Sequence, residues 1–238
     1  PCARLLIDCG IGRVVIASGD PNPKVSGRGV AMLREAGIEV AEGLMAEEAR
    51  ALNRPFMTAH TLRRPFVTLK WAQSADGFMD HDRTAGAGAA RFSTPLSSQL
   101  VHLRRACHDA IAVGAGTAIA DRPRLDVRHI EGRSPRRILF DRHNFLSDSG
   151  FDIHITGSEP LCDVLHRLYS EDGITSLLVE GGPSLLKSFI DSGLWDEAYV
   201  EVSPVTLGDR GRKPAPVIGA VPGGAEKTGP NTIFSYSR

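Results

Sequence analysis

Short β-rich runs separated by stretches with apolar residues at helical spacing constrain this chain more than any other feature. The runs fall at residues 13–17, 65–71, 109–113, 137–140 and 177–180, and the helical spacing at 29–36, 47–53, 96–107, 160–169 and 184–192. Strand, helix, strand in repetition predicts an α/β fold with a mainly parallel sheet. Residues 196–205 and 231–237 read as strands with no strong helix between them, which predicts an antiparallel edge pair at the C-terminal end. A polar stretch bracketed by Arg54-Pro55 and Arg63-Arg64-Pro65 marks a seam, because proline turns the preceding residue away from helix. Two segments follow, 1–58 and 64–238, the first small enough to be marginal as an independent domain.

Lysine plus arginine and aspartate plus glutamate number 28 each. With no basic excess to drive binding to phosphate backbones, nucleic acid is not expected as a partner. Apolar runs such as Ser176-Leu177-Leu178-Val179 are strand-sized, far below the roughly 20 residues of a membrane span, and the expectation is a cytoplasmic protein. Cys2, Cys9, Cys107 and Cys162 form no C-x-x-C pair and read as buried small residues or spectators. The eight histidines show no metal-ligand spacing.

Four stretches can carry chemistry. Glu180-Gly181-Gly182-Pro183-Ser184-Leu185 joins a strand to a helix. Its glycines permit close backbone approach, Pro183 suits a first helical position, and a helix N-terminus offers N–H groups to a phosphate. A carboxylate at the end of that strand stands where open α/β sheets bind ligands. Gly114-Ala115-Gly116-Thr117, continuing to Asp121, supplies flexible backbone, a hydroxyl and a carboxylate after a second strand, but Ile119 breaks the dinucleotide glycine pattern. The arginines of 122–128 can clamp a phosphate or simply be solvated. Lys70, read as ending its strand, can polarise a substrate oxygen or snorkel at the surface, and one of Arg104 and Arg105 should face inward.

Taken together, "KWAQSADGF", "HLRRACHDAIAVGAGTAIADRPRLDVR" and "LLVEGGPSLLKSFIDSGLWDEAYVEVSP" closely resemble the reductase domain of the bifunctional riboflavin-biosynthesis deaminase/reductase family, over nearly all of 64–238. The resemblance implies a dihydrofolate-reductase-like reductase domain. The reaction implied is NADPH-dependent reduction of 5-amino-6-(5-phosphoribosylamino)uracil to the ribityl phosphate, by an oxidoreductase that is commonly a homodimer. It implies cofactor contacts from Gln73, Thr117, Asp121 and the Gly181, Gly182, Pro183, Ser184, Leu185 turn. The substrate-binding set is Arg105, Leu125, Arg128 and Glu180; Lys70, Asp121 and Glu180 are the candidates for proton handling. After Gly77 the chain departs from the family's Ser-x-Trp-Ile-Thr pattern, carrying Ala89, Arg91, Phe92 and Ser93.

The opening "PCARLLIDCGIGRVVIASGDPNPKVSGRGVAMLREAGIEV" resembles the second half of the family's deaminase domain, a partial cytidine-deaminase-like α/β segment in which a Pro-Cys completes a zinc site. Cys2 would be a remnant ligand of an incomplete metal site, since catalytic zinc needs three protein ligands. Zinc-dependent deamination of the diaminohydroxyphosphoribosylaminopyrimidine would then belong to a longer parent, and the absent initial Met fits a fragment. Two other functions compete: a dihydrofolate-reductase-like pterin reductase, and a non-catalytic assembly module.

Overall fold

The computed structural model describes residues 2–22, 25–83, 88–147 and 150–238, and the chain divides into two compact units, Pro1–Arg64 and Pro65–Arg238. The first unit contains α1 (Cys2–Asp8), β1 (Arg13–Ile16), α2 (Arg28–Glu35), β2 (Glu39–Glu42), α3 (Ala46–Leu52) and α4 (Arg54–Leu62). β1 and β2 form a two-stranded parallel sheet. Among the described residues of this unit the buried hydrophobics are Leu33, Ile38 and Ala59, while Leu5, Val15, Leu44 and Leu52 are exposed. The division between the units lies within the expected seam, but residues 54–62 of that stretch are helical, because Pro55 occupies the first turn of α4, where a missing N–H costs nothing.

The second unit runs β3 (Phe66–Gln73), β4 (Phe78–His81), α5 (Pro95–Ala106), β5 (Ala110–Gly114), α6 (Ala115–Asp121), β6 (Arg136–Asp141) and β7 (Ile153–Thr156). It continues with α7 (Leu161–Ser170), β8 (Ser176–Val179), α8 (Pro183–Ser192), β9 (Glu197–Val202), β10 (Gly211–Pro214), β11 (Gly224–Thr228) and β12 (Asn231–Ser237). Its central sheet has eight strands in the order β11-β12-β9-β3-β8-β5-β6-β7, parallel from β9 to β7 and antiparallel at β12 and β11. The antiparallel pairing of β9 with β12 is as expected, but β9 lies inside the sheet, bonded also to β3, and the edge is β11.

Residues 66–69, 110–113 and 176–179 are buried throughout, because helices cover both sheet faces. On one face Leu69, Ala112, Leu177 and Val179 pack with Leu165, Leu168, Leu186 and Phe189 of α7 and α8. The opposite face divides in two. Over β5, β6 and β8 it is apolar, with Ile111, Val113, Leu139 and Leu178 against Ala118 and Leu125. Over β3 and β9 it is polar, and it is met there by Arg104 of α5, which stacks on Tyr199, and by His108 just after that helix, which bonds Thr68.

The Phe189 ring is fully buried and meets Phe140 edge-on, with centroids 6.1 Å apart. Phe189→Ala should lower urea-denaturation stability by about 3–5 kcal/mol through the cavity it leaves. Leu103→Ala, at a half-exposed position on α5, should change it by about 0.5 kcal/mol or less.

Candidate active site

Two features meet at the C-terminal ends of β5, β6 and β8. One is a cleft of about 740 Å³, lined by Gly114, Thr117, Phe140, Ile155, Gly182 and Leu185, among others. The other is a buried charged cluster over β3 and β9. Glu180 and Gly181-Gly182 are adjacent in sequence, so the turn that ends β8 joins the two.

The cleft suits an elongated ligand with an anionic part. Gly182 caps α8 with no side chain bonded to the helix end, leaving first-turn N–H groups without a side-chain acceptor. The glycines are also packing requirements: a Cβ on Gly181 would lie 2.9 Å from Leu185 Cδ2, and one on Gly182 would lie 3.1 Å from Thr117 Oγ1. Apolar area comes from Phe140, Ile155, Leu161 and Val164, and Asp141 and Arg142 stand at the end of β6. This β6–β7 wall was missed in the sequence; the signal available was the end of the 137–140 run, where parallel sheets place ligands.

Lys70 corrects the reading of it as a strand terminus. It lies within β3, its side chain only 12% exposed, with Nζ 3.9 Å from Glu201 Oε2. Burial pulls its pKa below the usual lysine value, Glu180 and Glu201 pull it back up, and Arg105 and Arg104 add to the lowering. Arg105, on α5, holds Glu180 bidentately, Nε to Oε1 at 2.9 Å and Nη2 to Oε2 at 2.7 Å, and donates from Nη1 to the Asp126 carbonyl at 3.0 Å. Burial pushes the Glu180 pKa up, but the Arg105 pair outweighs it and holds the carboxyl below its ordinary value. Arg104, the other candidate, lies over the Tyr199 ring.

The loop after α6 is fixed by its own residues. Leu125 takes a left-handed backbone, φ 56°, although it is a buried leucine. Such a conformation costs roughly 1–2 kcal/mol, and it is held by the Leu125 side chain in the apolar core and by the bond from Arg105 to the Asp126 carbonyl. Arg124 and Arg128 both pair with the Asp126 carboxylate. His102 accepts the Arg128 N–H at Nδ1, 3.2 Å; burial first, then Arg105 and Arg128, depress its pKa and keep the imidazole neutral.

The remaining sequence candidates lie elsewhere. Asp121, expected to contact cofactor and handle protons, ends α6 and accepts from Arg83 Nη1 at 2.6 Å. The same guanidinium bonds Asp80, whose carboxyl Lys213 and Arg83 hold far below its usual pKa against the opposing effect of burial. Gln73 accepts the Trp71 indole N–H at 2.7 Å. Among the described residues, neither Gln73, Asp121 nor Gly181 lines the cleft, whereas Thr117, Gly182, Pro183, Ser184 and Leu185 do. Of the altered stretch after Gly77, residues 84–87 lie outside those described; Phe92 is buried and Ser93 donates to Glu201. All four cysteines are exposed, so of the two readings, buried small residue or spectator, the buried one is corrected. Cys2 lies on α1, and no group of three His, Cys, Asp or Glu able to hold a metal exists among the described residues. The described residues therefore do not fit a zinc centre.

Comparison with known proteins places this arrangement. The protein "Riboflavin biosynthesis protein RibD" of Aquifex aeolicus is 36% identical over 239 residues, covering 88% of this chain and 66% of the relative. The chain spans just under two thirds of the length of such curated relatives. The structure of Acinetobacter baumannii RibD superposes with a TM-score of 0.85 at 28% identity, covering 99% of this chain and 75% of that one. That of a Thermotoga maritima diaminohydroxyphosphoribosylaminopyrimidine deaminase/5-amino-6-(5-phosphoribosylamino)uracil reductase gives 0.82 at 32% identity, covering 99% and 74%. The fold is thus the dihydrofolate-reductase-like α/β architecture with a mainly parallel sheet. The family model for the RibD C-terminal domain matches residues 65–221, and the chain belongs to that family.

Proposed function

We propose that residues 65–238 form the NADPH-dependent reductase that converts 5-amino-6-(5-phosphoribosylamino)uracil to its ribityl counterpart in riboflavin synthesis. The observation that carries this reading is the junction at Glu180. One turn joins a cleft of about 740 Å³, within the usual range for cofactor pockets, to a buried lysine–carboxylate–arginine cluster. The cleft fits NADPH: its apolar walls suit flat rings, and the open α8 N-terminus with the Thr117 hydroxyl suits a pyrophosphate. When bound there, the cofactor supplies the hydride that the ribosyl C1 gains.

The chain's own residues have the remaining tasks. Ring opening needs a proton at the sugar oxygen, and Lys70, the lysine of the buried cluster that includes Glu180, is the cation that can provide it. Glu180 holds Arg105 in place, and two guanidinium N–H groups of Arg105 remain for a further acceptor. Arg128 supplies the mobile half of a phosphate clamp, exchanging Asp126 for the substrate phosphate. Asp121, engaged by Arg83, is the weakest of the proton-handling candidates. A pterin reductase has less support, because a pterin would leave the loop arginines without a phosphate to bind. A non-catalytic assembly module leaves the buried cluster without a role.

The first unit, which takes part in the 99% coverage by RibD structures, corresponds in this reading to part of a deaminase domain. Deamination, with its zinc, belongs to a complete protein in which the other ligands accompany Cys2, and NADPH serves the reductase alone. The setting is cytoplasmic, no described helix is long and apolar enough to cross a membrane, and the assembly is a homodimer in keeping with the family resemblance.

The chain should oxidise NADPH with the deaminated ribosylamino-pyrimidinedione phosphate and not with the undeaminated pyrimidine; absence of turnover while NADPH still quenches tryptophan fluorescence would refute the reading. Arg128→Ala should raise KM for the phosphorylated substrate about 10- to 100-fold, the loss of a charge-assisted bond, with NADPH affinity unchanged by fluorescence titration. Glu180→Gln should cost about 3–5 kcal/mol of urea-denaturation stability at pH 7, since it strands Arg105. Because the Glu180 pKa is depressed on folding, its contribution is present above the unfolded value of about 4.3 and lost as pH falls through the folded value. The difference in urea midpoint between wild type and Glu180→Gln should therefore shrink between pH 5 and pH 3.

A further inference from the structure

Glu201 is a buried carboxylate with no part in the proposed hydride and phosphate contacts. It lies on β9, 1% exposed, between Val200 and Val202, in a strand otherwise built for a packed sheet. Two neutral donors converge on it, one to each oxygen: Ser93 Oγ at 2.7 Å from Oε2 and Asn231 Nδ2 at 2.6 Å from Oε1. Asn231 is itself fixed, Nδ2 also donating to the Phe92 carbonyl at 2.8 Å. Burial alone would raise the carboxyl's pKa, but the donors and Lys70 reverse this and keep it ionised.

A carboxylate with neutral donors on both oxygens is still an uncompensated buried charge unless a cation faces it. Lys70 is that cation, with Nζ 3.9 Å from Oε2. The register explains how they meet. Lys70 pairs with Tyr199 and Ala72 with Glu201 across the parallel β3–β9 ladder, so Lys70 and Glu201 are diagonal neighbours on one sheet face. The charged groups acting on Lys70 come from three elements: Glu180 after β8, Glu201 on β9, and Arg104 and Arg105 on α5. The two arginines disfavour its charge, and Glu180 is already bonded bidentately to Arg105. Glu201, bound to no arginine among the described contacts, is the carboxylate free to serve Lys70.

We propose that Glu201 is a positioning residue for the reaction, fixing the Lys70 ammonium over the sheet and keeping it protonated at the pH where the enzyme works. The proposal rests on the reading of Lys70 as the proton donor, and it adds the device that keeps that donor charged in a buried, arginine-flanked place. Ser93, part of the stretch that departs from the family pattern, orients the device. Glu201 acts through Lys70 and needs no contact with substrate.

The test is direct titration of Lys70 in the full chain, which contains five lysines. Lysine labelled with ¹³C at Cε gives one NMR signal per residue, and Lys70→Arg identifies the one that matters. Lys70 should titrate below the other lysines in wild type, and in Glu201→Gln its pKa should fall by a further unit or so, about a tenfold loss in proton affinity. The high-pH limb of kcat/KM should move down by the same amount. Ser93→Ala, which keeps the charge, should move the Lys70 pKa by less than half as much. A Lys70 pKa in Glu201→Gln within about 0.3 unit of wild type overturns the proposal. Should that variant not fold, Glu201→Asp, which withdraws the charge from Nζ, must give a smaller fall in the same direction, and no fall there overturns the proposal equally. The two readings separate cleanly: a shifted Lys70 in a chain that never turns over NADPH upholds this link and sinks the reductase assignment. Turnover with an unshifted Lys70 does the reverse.

Discussion

The forked pair between Arg105 and Glu180 is the interaction on which the site depends. It ties α5 to the residue that follows β8, and through the third contact, to the Asp126 carbonyl, it also fixes the loop after α6. A guanidinium fork suits this position because it is planar, always charged and able to satisfy a carboxylate with two parallel bonds while keeping donors for a third partner. A lysine at this position could neutralise Glu180 but could not set three backbone segments at once. The left-handed Leu125 is tolerated within that frame, its side chain buried and its neighbour's carbonyl held.

The sheet face beneath α5 shows how one surface can both support a fold and house chemistry. Its β5–β6–β8 half is filled by leucine, isoleucine and valine. Its β3–β9 half carries Thr68, Lys70, Glu197, Tyr199 and Glu201, each with a polar partner on the sheet, on α5 or in the segment leading into it. His108 extends this network: Nδ1 donates to the Arg104 carbonyl at 2.6 Å and Nε2 lies 2.9 Å from Thr68 Oγ1. Such a network is costly unless every member is satisfied, and here satisfaction comes from the register of two strands and the placing of one helix.

The fold was legible because its strongest signals are periodic. The strands at the centre of the sheet are apolar runs, and α7 and α8 carry their apolar residues at helical spacing. Their adjacency to glycine and proline set the boundaries to within a residue or two. Elements of low hydrophobic contrast were not legible: β10 reads Gly-Arg-Lys-Pro and β11 Gly-Ala-Glu-Lys-Thr, and each is a strand because a partner supplies its hydrogen bonds. The site shows the same divide. The Glu180 turn and Lys70 could be singled out by type and position, whereas the capture of Asp121 by Arg83, 38 residues away, leaves no local trace. Glu201 did leave one, a charged residue between two valines in a strand, whose meaning depends on Ser93 and Asn231, far off in the sequence.

The sheet order also governs how the second unit can be built. β3 is the first strand of the unit in sequence, yet both its neighbours, β8 and β9, come from the last third of the chain. The Val67 N–H is received by the Asp196 carboxylate across 129 residues. As the polypeptide leaves the ribosome, β5, β6 and β7 can already associate, while Phe66, Val67 and Leu69 must wait, apolar and unpaired, until β8 at residues 176–179 has been made, and the other side of β3 stays open until β9 follows. A topology with its first strand in the middle delays its own closure, so the growing chain carries an apolar segment open while the strands and helices between β3 and β8 are being made.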